Sequence, residues 1–167
     1  MTSPDLARAL LLLDQQSLPG LDLPARAPGK WSGAEVVEHL GRAYAATAYI
    51  LEKCAADGVP RGTAPSISQR AWVVMVVTLG YLPSGVRAPA VTLPQGLPGD
   101  EAQAFVRAGL HDLDSAAERC LVRFGPRTRV ANHPRLGGFT VPQWCRFHWV
   151  HTRHHMRQIA ARSASRP

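Results

Sequence analysis

The sequence predicts an all-α helical bundle, and three observations carry that expectation. Four long segments show helical apolar spacing or helix-end chemistry. Short connections join the first to the second and the third to the fourth, and one crossover, residues 58–99, separates the middle pair. The chain has no internal repeat and no low-complexity tract. Its 167 residues suit one domain spanning 1–167 that buries a core without disulfides.

The first helix is expected over residues 4–17, with Ser3 as N-cap and Pro4 in the first helical position, where its missing N–H costs nothing. Pro19, Gly20, Pro24, Pro28 and Gly29 then punctuate a loop. A second helix starts at Trp31-Ser32, where Ser32 and Glu35 form an S-x-x-E capping box. Val36, Leu40, Ala43, Thr47, Ile50 or Leu51, and Cys54 follow the 3.6-residue period, and Asp57-Gly58 marks its end. The crossover holds six of the fourteen prolines around one apolar segment, Ala71 to Leu82. That segment is too short to cross a bilayer and is read as a buried short helix, because no partner strand is visible for its valines. A third helix is expected from Asp100 to Phe124, acidic in its first turn and basic in its last, stopped by Gly125-Pro126. A loop through His133-Pro134 and Gly137-Gly138 leads to Thr140, the N-cap of a last helix from Val141 to Arg162.

Hydrophobic residues make up 46% of the chain and charged residues 19%, which excludes a disordered polymer. The net charge of +7 is unevenly placed: all twelve acidic residues lie between Asp5 and Glu118, and ten arginines follow from Arg119 onward. Such a block suits nucleic acid, an anionic surface, a carboxylate-bearing small molecule or plain solvated helix surface. Cys54, Cys120 and Cys145 are far apart and odd in number, the usage of reduced thiols in a cytoplasmic protein. The N-terminal apolar stretch Leu10–Leu13 is flanked by Asp5 and Asp14, so no signal peptide is read there.

Five of the seven histidines fall in the last 35 residues. On the final helix Trp144, His148, His151, His155 and Ile159 form one core-facing stripe. His151 and His155, at i and i+4, can converge on one metal ion. His39, on the edge of the second helix's apolar face, is the natural third ligand, and a site between facing helices is a common way to place a metal. Three neutral imidazoles leave positions open for water or a substrate. Gln158 is placed to orient a ligand by hydrogen bonding. By spacing, His148 and His154 are competing ligands; His133 in its loop either reaches the site or ends a turn, the turn being the favoured reading, and His111 is expected to lie on the surface. The segment His151-Thr152-Arg153-His154-His155 lacks the glutamate of an H-E-x-x-H protease helix, and the chain has no nucleophile elbow, phosphate loop or dinucleotide fingerprint.

The pattern Trp31-Ser32-x-x-Glu35-Val36-Val37-Glu38-His39-Leu40, His133-Pro134-x-x-Gly137, Trp144 and His151-x-x-His154-His155-x-x-Gln158 resembles the DinB/YfiT-like metalloenzyme superfamily. Within it, the pattern is similar to a branch described as a domain of unknown function. The resemblance implies an up-down-down-up four-helix bundle with His39, His151 and His155 as ligands to a divalent ion such as zinc, nickel or iron. It also implies a low-molecular-weight thiol cofactor of the bacillithiol or mycothiol type, used by transferases and isomerases whose metal activates the thiol. Arg153, Arg157 or Arg162 is then expected to meet a carboxylate of that cofactor, with Gln158 beside it. The expected partners are a small-molecule substrate and a second copy of the chain, with no membrane. A bundle that binds metal only for stability or serves as a dimerisation module is the alternative, and a basic nucleic-acid module stands behind it.

Overall fold

Helix α1 (Pro4–Gln15) is followed by α2 (Gly33–Asp57), α3 (Ile67–Val73), α4 (Gly99–Phe124), strands β1 (Arg129–His133) and β2 (Gly137–Thr140), and α5 (Val141–Ala164). The coordinates are a computed structural model that describes residues 1–15, 21, 24–25 and 28–164. Residues 16–17 of the expected first helix, Pro19 and Gly20 of the expected loop, and the side chain of Arg162 lie outside the described residues. The molecule is mostly helical with one small antiparallel hairpin.

Two of the long helices, α2 and α5, begin on side-chain caps. Ser32 Oγ accepts from the Glu35 N–H at 3.1 Å while the Glu35 carboxylate accepts from the Ser32 N–H at 2.6 Å, so the expected capping box forms. Gly58 ends α2 in the left-handed conformation, φ 70°. Thr140 and Gln143 exchange the same reciprocal pair at the start of α5. The two longest middle helices, α2 and α4, pack along each other, and α1 packs against α5. Gly41 permits the first contact. A Cβ there would stand 2.6 Å from the Phe105 ring and 3.2 Å from the Val106 Cα, so any larger residue forces the helices apart. Leu40, Tyr44, Leu51, Leu110, Leu113 and Met156 are fully buried in the core that results.

Two expectations change. The stretch read as a loop between the last two long helices contains the β1–β2 hairpin, in which Ala131 opposes Phe139 and His133 opposes Gly137. The chain at 61–63 lies along it: the Arg61 and Gly62 N–H groups donate to Val130 and Arg129 carbonyls, and Gly138 N–H donates to the Thr63 carbonyl. The hairpin is therefore completed by a distant segment, which explains why two short strands, the second of them opening on two glycines, hold without strong propensity of their own. The apolar segment of the crossover is helical as expected, but it starts earlier, at a Ser66/Gln69 capping box, and finishes in a π-helical turn, Val74–Thr78. Only Val76 and Val77 of that segment are buried; Trp72, Val74 and Leu79 are exposed. Hydrophobicity alone overstated its burial.

Candidate metal centre

The crossover does for α2 what the sequence could not reveal. Glu38, with no exposed surface, receives the Arg42 guanidinium at 2.7 Å and the backbone N–H groups of Gln95, Gly96 and Leu97 at 2.8–3.0 Å. Burial alone would raise the pKa of this carboxyl, but the three N–H donors and Arg42 outweigh it and hold the group below its ordinary value. The loop tied down in this way presents the Thr92 carbonyl, at the end of a short 3₁₀ turn (Ala90–Thr92), to the neighbouring His39. Replacing Glu38 by Gln, which turns an acceptor into a donor against three N–H groups, is expected to cost about 2 kcal/mol. It should also weaken metal binding by freeing Thr92. Urea unfolding and a zinc titration of the same variant check both effects.

His39 is buried on α2, and its Nδ1–H donates to that carbonyl at 2.7 Å. The donor role is forced, because a carbonyl only accepts, so the lone pair of neutral His39 sits on Nε2. On α5, one turn apart, His151 and His155 bring their own Nε2 atoms to the same place. His39 Nε2 and His151 Nε2 are 3.2 Å apart, and His151 Nε2 and His155 Nε2 are 3.0 Å apart. The Gln158 carbonyl oxygen lies 2.9 Å from His155 Nδ1, fixing that ring in the same tautomer. The Gln158 amide nitrogen stands 2.8 Å from His154 Nε2, which occupies His154 outside the trio. His151 differs: its Nδ1 is buried and has no hydrogen-bond partner among the described residues.

Three nitrogens in this arrangement fit a cation. One shared proton on His151 Nε2 can bond well to one neighbour and leaves a second lone pair facing it. A metal ion accepts all three. Two ligands held about 2.0–2.1 Å from one tetrahedral ion stand about 3.3 Å apart, close to the two separations found. His39, His151 and His155 could thus hold a metal ion, each offering one atom and all within 4.8 Å of one another.

The electrostatics favour the neutral ligand form. Burial lowers the pKa of His39, outweighing the Thr92 carbonyl that would raise it. Burial, reinforced by the neighbouring imidazoles, holds His151 well below its ordinary value. His154 is lowered by burial and by Arg157.

The other expected site residues fall outside the trio. His148 is buried, with its Nε2 on the Thr47 hydroxyl at 2.9 Å, and burial pushes its pKa down to about 3. His133 ends a turn, as expected: its Nδ1 accepts the N–H groups of Arg135 and Leu136, at 3.2 and 3.3 Å. Gly137 completes that turn at φ 77°, which gives the His-Pro-x-x-Gly pattern a structural meaning. His111 is exposed. Arg153 donates to the Gly80 carbonyl at 2.6 Å and lies over the Trp149 ring, while Arg157 is exposed one turn further on.

The trio opens into a cleft of about 930 Å³ between α2, α5 and the crossover. Its lining includes Trp31, Trp72, Leu82, Leu136, Trp144 and Phe147, with Lys30, Arg87 and Arg135 among its polar residues; Arg153 and Arg157 are not part of it. Lys30, Glu38, Thr92, Arg87 and Arg135 were missed by sequence reasoning.

Fold and site define a mostly helical protein with a three-histidine cluster at the base of an apolar cleft. The family model described as "Protein of unknown function (DUF1569)" matches residues 71–162, more than half of the chain, and the chain belongs to that family. The matched span includes His151 and His155 but not His39. No curated protein and no solved structure matches the chain. Among the described residues no helix is long and apolar enough to cross a membrane.

Proposed function

We propose that the chain is a divalent-metal-binding protein of the DinB/YfiT-like superfamily, a single domain over 1–167 built on an up-down-down-up four-helix bundle. In this reading it is a thiol-dependent transferase or isomerase of small molecules. The observation that carries the reading is the meeting of three Nε2 atoms whose outer ring nitrogens, in His39 and His155, are already committed to oxygen acceptors. His39, His151 and His155 would hold the ion, and imidazole ligands suit zinc, nickel and iron alike. When bound, a divalent ion supplies a lowered thiol pKa and so a thiolate nucleophile at neutral pH.

The thiol has to come from solution. Cys54, Cys120 and Cys145 are all buried and unbridged. Burial raises the Cys120 thiol to about 12 and the Cys145 thiol to about 11, so neither ionises at neutral pH. Three unbridged thiols also support a cytoplasmic location. Gln158 would orient His155, and Thr92 would orient His39. Contacts from Arg153 and Arg157 to a cofactor carboxylate belong to the same proposal.

The test combines elemental analysis with a thiol-transfer assay. The expected result is about one divalent ion per chain, absent in His39→Ala, and turnover with a low-molecular-weight thiol that depends on the ion. Metal without turnover would leave the stabilising or dimerising bundle as the function. Duplex binding that is steeply salt-dependent and indifferent to the histidines would instead favour the nucleic-acid module.

A further inference from the structure

We propose that the cleft binds a small carboxylate with an apolar body, its anionic end met by Arg135 and His133 and its reacting end turned toward His39, His151 and His155. The inference rests on the metal reading for the reacting end, while its charge argument stands without the ion. Among the described residues that line the cleft there is no Asp or Glu, whereas Lys30, Arg87 and Arg135 all line it. Among the described residues none of these three cations forms an ion pair. A neutral three-imidazole site adds no negative charge, so a bound divalent ion would raise the positive potential of the cleft further. Such a cleft calls for an anion from outside.

His133 supplies the second element of recognition. Because its Nδ1 accepts two backbone N–H groups, the proton of the neutral ring is on Nε2, a donor with no partner among the described residues. The ring is fixed against Phe147 at 4.6 Å and against Phe139 and Trp144 at 5.7 Å between centroids. Phe147 in turn stacks on His151 at 5.5 Å. One aromatic ring therefore separates the anion-binding end from the histidine trio, and the ligand must have an apolar body to bridge them. Arg135 is held in place by its own bond to the Arg87 carbonyl at 3.1 Å, and its guanidinium fork suits a carboxylate. A phosphate has the charge but nothing to place on Trp72, Leu136 and Phe147.

Calorimetric titration of the full chain, metal-free and zinc-loaded, with 4-phenylbutyrate, 4-phenylbutanol, 4-phenylbutylamine and inorganic phosphate tests this. The acid is expected to bind at least about tenfold more tightly than the alcohol, the value of one hydrogen-bonded charge, and the amine not at all. Arg135→Gln should remove the preference while leaving the alcohol unchanged, and Arg135→Lys should keep most of it. Equal binding of acid and alcohol, a preference that survives Arg135→Gln, phosphate binding as tightly as the acid, or no binding at millimolar ligand would each overturn the proposal. A preference for the acid in a protein that takes up no zinc would uphold it and end the metal reading. Zinc uptake without the preference would do the reverse.

Discussion

Zinc in excess should raise the melting temperature of the wild-type protein by about 5–10 °C, and the same addition to His151→Ala should change it by almost nothing. The magnitude follows from linkage: ligand at a hundred times its dissociation constant stabilises by about 2.7 kcal/mol, and 1 kcal/mol moves the midpoint of a domain this size by about 2–4 °C. His151 is the central member, since its Nε2 is the atom shared by both close contacts. Removing it leaves two nitrogens on different helices and no closed set. Gln158→Leu should lie between these extremes, weakening zinc binding by about 10–100-fold, because the ring of His155 loses the acceptor that orients it. Far-UV circular dichroism of both variants shows whether the helices remain, so that loss of binding is separated from loss of fold.

The second large effect is acid lability of the metal-free protein. Burial holds His39, His133, His148, His151 and His154 below the ordinary histidine value; for His133, with help from Arg135, the value is about 4, and for His148 about 3. In the unfolded chain the same rings take up protons from about pH 6.5 downward. Between that pH and the lower folded values the unfolded state binds more protons, so stability falls as the pH falls. The fully buried His148 alone sets a slope of up to about 1.4 kcal/mol per pH unit. Glu38 acts at lower pH in the same direction, since a carboxylate held below its ordinary value loses its contribution once it is protonated. The expected outcome is a urea midpoint that drops steadily from pH 7 to pH 5, and His148→Gln should shallow the slope. A flat profile would contradict the neutral, buried state assigned to these rings.

How far the sequence revealed this structure depends on whether the signal was local. The Ser32/Glu35 box, the Thr140 cap and the pair His151/His155 at i and i+4 are short-range patterns, and each reads directly from residue spacing. His39 was reachable because it sits one turn from Val36 and Ala43 on an apolar stripe. The Thr92 carbonyl was not, since a backbone oxygen has no side-chain signature, and its place depends on Glu38 gripping three N–H groups almost sixty residues away. The hairpin escaped for a related reason: its pairing is completed by residues 61–63, and its glycines are poor strand formers. The structure narrows most what the uneven charge implies. The excess of arginine in the last third is real, yet Arg153 is two residues from both His151 and His155, a spacing that puts it on another face of the helix, where it holds Gly80. Within the cleft, two of the three cations, Lys30 and Arg87, come from outside the basic last third.

X-ray absorption of the zinc-loaded protein tests the central claim most directly. Three imidazole nitrogens on one ion, at about 2.0–2.1 Å, with a non-imidazole oxygen or nitrogen donor completing the shell, is the result expected of His39, His151 and His155. In the absence of added thiol, a shell with fewer than three imidazoles, or with sulfur in it, would contradict the site.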